Sequence, residues 1–150
     1  MKNLFEPSVS AELRQRLLKL KPDSERQWGK MNAAQAVAHC AAGFEMATGD
    51  IKPPRALLGR LIGGLVKPMA LGDDKPIRKN APTAKELVVA DQRDLSAERQ
   101  KLSNLIERFT AAGPAGCTTH PHPFFGNLTP QEWGALMYKH TDHHLRQFGA

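Results

Sequence analysis

Cysteine is scarce in this sequence, and long apolar runs are absent. The two cysteines, Cys40 and Cys117, are too few for a disulfide framework, which fits a reducing compartment. The longest apolar stretch, residues 56–66, is interrupted by Arg60 and is too short to span a bilayer. Residues 1–7 contain no apolar run of the kind that a signal peptide carries. We therefore expect a cytoplasmic protein with no membrane segment.

Clustered basic residues are also absent, although the formal net charge is +6, from 21 Lys and Arg against 15 Asp and Glu. Nucleic-acid-binding surfaces usually show a basic cluster or a basic stripe with interleaved aromatic residues. Here the nearest approach to a cluster is Lys75, Arg78 and Lys79, beside Asp73 and Asp74. The spread charge indicates a solvated surface, or a field that steers an anionic small-molecule substrate or a thiol cofactor. A nucleic-acid partner is not expected.

Helical patterns run through most of the sequence, and 150 residues are enough for a single domain, 1–150, with its own core. Apolar spacing and cap residues predict helices over residues 11–21, 33–47, 55–68, 83–112 and 130–148. The helix at 55–68 is apolar around most of its circumference, so we expect it to be buried. The long helix at 83–112 starts with a capping pattern at 83–86 and has a second candidate cap at Ser96. Every periodic segment indicates helix, so the predicted fold class is all-α.

The last predicted helix is the best defined and carries three of the six histidines. Thr129, Pro130 and Glu132 form a capping box with proline at the first helical position. His140 and His144 are four residues apart and therefore lie on one face of the helix. Apolar residues share the stripe of His140, so the pair should point into the core. A pair with this spacing indicates a metal site, or two histidines whose partners are backbone or water.

His39 lies in the middle of the predicted helix at 33–47. Its neighbours on the helical wheel are mostly small: Asn32, Gln35, Ala36, Ala42, Gly43 and Met46. A face packed as core would carry leucine or isoleucine there. The room around the imidazole therefore suits a ligand in the wall of a pocket.

A further group of candidates lies in the connection at residues 117–126. Cys117, His120 and His122 are residue types that bind zinc, but their spacing matches no standard structural zinc pattern. Two prolines also stiffen the backbone between them. We interpret the segment as a rigid connection that closes the bundle near the mouth of a pocket. His122 and Phe124 are the candidates at that mouth, and His122 is expected to lie outside the ligand set of a metal.

Four groups of residues form a combination more specific than any one motif: Trp28-Gly29-Lys30-Met31; Gln35 with His39-Cys40; His122-Pro123-Phe124-Phe125-Gly126-Asn127-Leu128-Thr129; and His140 through Gln147. In this combination the chain resembles the DinB/YfiT-like superfamily, and within it a bacterial branch known as a domain of unknown function. The resemblance covers nearly the whole chain. It implies an up-down four-helix bundle with a crossover connection and a short extra helix.

The resemblance also implies a divalent metal held by His39, His140 and His144. His143 is left out because it points about 100° away from His144 on the helical wheel. Three histidine nitrogens suit Zn, Ni or Fe and leave positions open for water or substrate. Gln35 and Gln147, each within a turn of a ligand, are candidate hydrogen-bond partners that orient the ligands.

The function that the resemblance implies is a metal-dependent enzyme. Characterised members of the superfamily are similar to thiol-dependent S-transferases and isomerases, so we expect transfer of a thiol such as glutathione to a small electrophile, or a related hydrolase. No carboxylate is placed as a general base, since Asp142 is on the outer face of its helix and Glu45 is turned away from His39. The alternative is a non-catalytic metal-binding, ligand-binding or stress-response protein that keeps the bundle and the pocket. A homodimer is left open.

Overall fold

Five α-helices form the fold in the computed structural model, which describes residues 2–73, 75–81, 83 and 87–150. They are α1 (Pro7–Leu18), α2 (Ala33–Thr48), α3 (Leu57–Leu71), α4 (Leu95–Ala112) and α5 (Pro130–Gln147). A short 3-10 helix, Gly113–Gly116, follows α4. The described residues contain no β-strand, and their one β-bridge joins His122 to Gly126. The all-α class is therefore confirmed.

Four of the helices pack side by side around one core. α1 packs against α4, α4 against α2, α2 against α5, and α5 against α1. Large side chains with almost no exposed surface fill the space between them: Leu13, Leu17, Phe44, Leu102, Ile106, Phe109, Trp133 and Met137. The ring of Phe109 stacks on Phe5 at 5.1 Å and meets the edge of Phe44 at 5.5 Å. That these four helices alternate up and down, as in a DinB-like bundle, stays a prediction.

Reciprocal caps set the start of α2 and α5, the two helices that carry the histidines. Asn32 Oδ1 accepts the Gln35 N–H at 2.9 Å, and Gln35 Oε1 accepts the Asn32 N–H at 3.0 Å. Thr129 and Glu132 make the same pair of bonds at the start of α5, at 3.2 and 2.7 Å. Both capping boxes agree with the sequence pattern, and they fix the helical register of the histidines.

The starts of α1 and α4 differ from the prediction. α1 begins at Pro7 rather than at residue 11, because proline at the first helical position already has a helical φ angle. α4 begins at Leu95, where Asp94 Oδ1 accepts the Ala97 N–H at 2.7 Å. The predicted helix at 83–94 is wrong for residues 88–94, which are not helical. Residues 84–86, in the predicted capping pattern, lie outside the described residues.

α3 lies at the surface, so the prediction that it is buried is wrong. Four of its five leucines, all except Leu71 at its end, are 54–76% exposed. Gly59 and Gly63 form the inner side of the helix, and a Cβ on Gly59 would lie 2.6 Å from Phe124 Cα. The glycines therefore bring α3 close to the loop at 123–125, and the large side chains point away from it. Neither α3 nor any other helix in the described part of the chain is long and apolar enough to cross a bilayer.

Candidate metal centre

Three imidazole rings from α2 and α5 meet in one cluster, in which His39 and His144 are buried and His140 is partly exposed. One ligand atom from each of His39, His140 and His144 can be chosen so that all three atoms lie within 4.8 Å of one another. The ring centroids are 4.7 Å apart for His39 and His140, 4.8 Å for His39 and His144, and 5.0 Å for His140 and His144. Three nitrogen donors this close can bind one divalent ion.

Hydrogen bonds on the outer side of two rings fix their tautomers. His39 Nδ1 is 2.7 Å from the Leu87 carbonyl oxygen, and a carbonyl only accepts, so Nδ1 carries the proton. His144 Nδ1 is 2.9 Å from Gln147 Oε1, and the Gln147 amide is oriented by its own N–H, which donates to the Trp28 carbonyl at 2.7 Å. In both neutral rings the Nε2 atom is therefore left with a lone pair.

His140 completes the cluster. Its Nε2 atom lies 2.8 Å from the Nε2 atom of His39. Since His39 Nε2 has a lone pair, the His140 proton must lie on Nε2 in the metal-free protein, and it is donated to His39. Ligand nitrogens of a tetrahedral zinc are about 3.3 Å apart for Zn–N bonds of about 2.0–2.1 Å. The donor set thus fits a divalent ion if the His140 proton moves from Nε2 to Nδ1, which keeps the ring neutral, and if the two rings separate by about 0.5 Å.

Small residues on α2 make the space that His140 occupies. A Cβ on Gly43 would lie 3.2 Å from His140 Nδ1 and 3.4 Å from His140 Cε1. The Nδ1 atom is buried and has no hydrogen-bond partner among the described residues. The ring is therefore held by close packing against α2 rather than by a bond to its outer nitrogen.

Burial keeps the three rings uncharged at neutral pH. Desolvation lowers the pKa of His144 to about 3, with repulsion from His39 in the same direction and the Gln147 hydrogen bond opposing it. The pKa of His140 falls well below 6.5, first through burial and then through its histidine neighbours. Burial also lowers the pKa of His39, against the hydrogen bond to Leu87. Neutral imidazoles are the form that binds a metal.

The two glutamines expected to orient the ligands have different positions. Gln147 contacts His144, as described above. The Gln35 side chain instead caps α2 through Oε1 and donates through Nε2 to the Asp91 carbonyl at 3.1 Å, so its polar atoms are used at the helix start. The hydrogen-bond partner of His39 Nδ1 is the Leu87 carbonyl. Every residue has a backbone carbonyl, so the sequence could not indicate this partner.

His143 lies beside the cluster. Among the described residues, the group of ligand atoms close enough to share a metal consists of His39, His140 and His144, and His143 is not part of it. Its ring is 5.5 Å from the ring of Trp28 and 5.0 Å from that of His144. Burial lowers the pKa of His143, and a hydrogen bond to the backbone of Ile77 opposes this effect. The side chain thus faces the loop that contains Trp28.

His122 holds its own loop together. Its Nδ1 atom accepts the N–H groups of Phe124 and Phe125, both at 3.1 Å. The backbones of His122 and Gly126 also exchange two hydrogen bonds, at 2.9 and 3.0 Å. Burial, with a smaller contribution from Arg55, lowers the pKa of His122 to about 4. These contacts are structural, and the place of His122 and Phe124 at the mouth of a pocket stays a prediction.

One small cavity touches the cluster through His144. A cavity of about 10 Å³ is lined by His144, Cys40 and apolar residues of the surrounding helices. That volume holds about one water molecule. A larger groove, of about 530 Å³, runs between α1 and α4 and is lined by residues of those two helices, Arg14 and Arg99 among them.

Comparison with known proteins places the chain in a family whose function is not assigned. No curated protein and no solved structure matches the chain significantly. One family model, described as a protein of unknown function (DUF1569), matches residues 7–150. The match begins at the first residue of α1 and contains all three clustered histidines. The resemblance to the DinB-like superfamily is not tested by this match and stays a prediction. The chain belongs to the DUF1569 family of proteins of unknown function.

Proposed function

We propose that the chain is a metal-dependent enzyme in which His39, His140 and His144 hold one divalent ion, Zn, Ni or Fe. The observation that carries the proposal is the pair of outer hydrogen bonds, to Leu87 and Gln147, which leave Nε2 lone pairs on two buried, neutral rings. A histidine that serves only the fold usually has protein or water partners on both nitrogens. Here the hydrogen-bond partner of His39 Nε2 is the Nε2 atom of His140, another imidazole ring.

The residues of the centre have separate tasks in this proposal. A bound divalent ion would supply a Lewis acid that lowers the pKa of a water or thiol at its open positions. The three rings hold the ion from two helices whose starts are fixed by capping boxes. Gln147 keeps the His144 ring in orientation and joins it to the backbone at Trp28. Leu87 does the same for His39 from the connection between α3 and α4.

The reaction class that we propose is transfer of a low-molecular-weight thiol, such as glutathione, to a small electrophile. The two carboxylates considered as bases are engaged elsewhere: Asp142 pairs with Arg16 at 2.7 Å, and Glu45 with Lys101 at 2.8 Å. A thiol whose pKa is lowered needs no separate general base, whereas activation of a water usually benefits from one. A metal-dependent hydrolase is therefore the neighbouring reaction class.

A non-catalytic metal-binding, ligand-binding or stress-response protein is the second candidate. The observation in its favour is the burial of His39 and His144, together with the cavity of about 10 Å³ that His144 lines, which is too small for a substrate. Such a protein would keep the three-histidine cluster and bind a metal without turnover.

Metal analysis and thermal melts of untagged protein test the metal centre. We expect one divalent ion per chain and a higher Tm with added Zn or Ni, because a ligand at a hundred times its Kd stabilises the fold by about 2.7 kcal/mol. His39→Ala, His140→Ala and His144→Ala should abolish the shift. His143→Ala is the matched control and should keep it. A shift lost in His143→Ala but kept in His144→Ala would contradict the ligand assignment.

Turnover separates the two candidate functions. Metal-loaded protein is mixed with glutathione and an aryl halide electrophile, and the thioether product is measured. We expect product formation that needs metal and is lost in His140→Ala. Tight metal binding with no thiol-dependent or hydrolytic turnover would instead support the non-catalytic candidate.

A further inference from the structure

The outer face of α3 carries large apolar side chains that have no part in the histidine cluster. Six residues, which are 37–79% exposed, form this α3 stripe: Leu57, Leu58, Leu61, Ile62, Leu65 and Met69. They fall within about 140° of the helix circumference. A contiguous apolar face of this kind on a folded domain marks an interaction site.

The α3 stripe has the shape of a ridge beside a groove. One row of side chains, spaced four residues apart, forms the ridge: Leu57, Leu61, Leu65 and Met69. The adjacent row is Arg60, Gly64 and Pro68. Gly64 has no side chain, and a Cβ placed there would meet nothing within 4 Å. The row beside the ridge is therefore low at its centre and open to solvent.

We propose that the α3 stripe is a homodimer interface, in which α3 packs against α3 of a second copy about a twofold axis. A ridge of residues four apart fits a groove of the same spacing, which is the commonest way for two helices to pack in globular proteins. A twofold axis places the same patch on both copies, so each ridge enters the groove at Gly64 of the other. This inference does not depend on metal binding.

The area of the α3 stripe agrees with a small dimer interface. With roughly 100 Å² of exposed side chain on each of six residues, the stripe would bury about 1,200 Å² in a symmetric pair, at the lower limit for stable interfaces. Its composition also agrees, because leucine and methionine without acidic neighbours form the apolar centre of such interfaces. α3 contains no acidic residue.

A lipid surface suits the same face less well. Binding to an anionic bilayer uses basic side chains beside the apolar face. Lys67 of α3 pairs with Glu132 at 2.8 Å. Arg55, just before the helix, donates to the carbonyls of Pro123 and Gly59 at 3.3 and 2.9 Å. These two cations are engaged within the protein, and Arg60 is the one basic side chain of α3 that lies exposed beside the stripe. One cation rather than a cluster favours apolar contact with a second copy.

Sedimentation equilibrium of the full chain tests the proposal. We expect wild type at twice the chain mass of 16.5 kDa. Leu61→Glu should raise the dimer Kd by about thirtyfold or more, because it puts a charge in the centre of an apolar interface. Gly64→Leu should also weaken the dimer by filling the groove without adding charge. Leu18→Glu is the matched control, since Leu18 is 71% exposed on α1, and it should stay dimeric.

Two results would overturn the homodimer. One is a wild-type chain that sediments as a monomer at tens of micromolar. The other is Leu61→Glu protein that stays dimeric with the helical circular dichroism of wild type. Monomeric wild type that cosediments with phosphatidylglycerol vesicles, when Leu61→Glu does not, would assign the α3 stripe to a membrane surface and equally overturn the proposal.

Discussion

α2 and α3 are apolar helices of nearly equal length that occupy opposite kinds of position. α2 has 16 residues, mostly with small side chains, and twelve of them are buried. α3 has 15 residues, is richer in leucine, and has three buried residues. A helix that is apolar all round is expected to be the buried one. In this protein the helix with the larger apolar side chains is at the surface.

The difference shows that neighbours, rather than hydropathy, decide which helix is buried. α2 packs against both α4 and α5, and its small residues let the His140 ring approach the helix backbone at Gly43. α3 approaches a loop through Gly59 and Gly63, which turns its large side chains away from the core. Small residues on these two helices thus mark close contacts, and the exposed leucines of α3 mark a surface that the described residues do not cover.

Truncating one large side chain on each helix should give the largest difference in stability loss between α2 and α3. Phe44 of α2 has no exposed surface, so Phe44→Ala should lower the free energy of unfolding by about 3–5 kcal/mol. Leu65 of α3 is 76% exposed, so Leu65→Ala should change it by about 0.5 kcal/mol or less in the monomer. Urea denaturation below the dimer Kd measures both. Similar losses for the two variants would contradict the assignment of α3 to the surface.

Acid should weaken the packing of α2 against α5, where the histidine cluster lies, more than it affects the exposed face of α3. His144 in the unfolded chain takes a proton near pH 6.5, whereas in the folded, metal-free protein its pKa is about 3. The unfolded state binds more protons between these values, so this contribution to stability is full above pH 6.5 and is lost as pH falls. The loss is about 1.4 kcal/mol per pH unit, or about 3 kcal/mol over two units.

Urea denaturation from pH 7 to 4.5 in the presence of a chelator measures this slope. His144→Ala should have a shallower slope than wild type, by about the same 1.4 kcal/mol per unit. Leu65→Ala, on α3, is the control and should keep the wild-type slope. Equal slopes in wild type and His144→Ala would mean that His144 is protonated in the folded protein at the same pH as in the unfolded chain.

Alanine substitutions at the adjacent glycines of α3 should give the smallest changes in stability, and the two changes should have opposite signs. A Cβ on Gly63 would clash with the backbone of Phe124, so Gly63→Ala should destabilise the monomer by about 1–3 kcal/mol. A Cβ on Gly64 meets nothing, so Gly64→Ala should stabilise it by about 0.5–1 kcal/mol through helix propensity. Thermal melts at low protein concentration measure both changes. The same sign for both would show that α3 does not rest on this loop.

Local chemistry made α2 and α5 predictable. The capping boxes at Asn32 and Thr129 located the first residue of both helices, because a cap is formed by residues three positions apart. The predicted last residues, 47 and 148, differ from the observed ones by one position. α4 was less predictable, since leucines at helical spacing continue upstream of the cap at Asp94. The exposure of α3 could not be predicted from its own residues, because it depends on how Gly63 meets a loop sixty residues away.

The histidine cluster was predictable to a similar extent. The spacing of His140 and His144 is a property of one helix, and small neighbours indicated room around His39. Gln35 was expected to orient a ligand ring, but its side chain bonds at the start of α2, and the Leu87 carbonyl is the partner of His39. The bond from His39 to Leu87 joins residues far apart in sequence through a backbone atom, so only the tertiary structure reveals it.

The outer partners of the histidine rings also determine charge balance at the centre. The Leu87 carbonyl and the Gln147 amide are both electrically neutral, as are the rings themselves. Many zinc centres have a carboxylate behind a ligating histidine, which offsets part of the charge on the ion. Here a divalent ion would keep both positive charges in a buried environment, where attraction to an anion is strong. Small anions such as azide or cyanate would therefore compete for its open position ahead of neutral molecules of the same size.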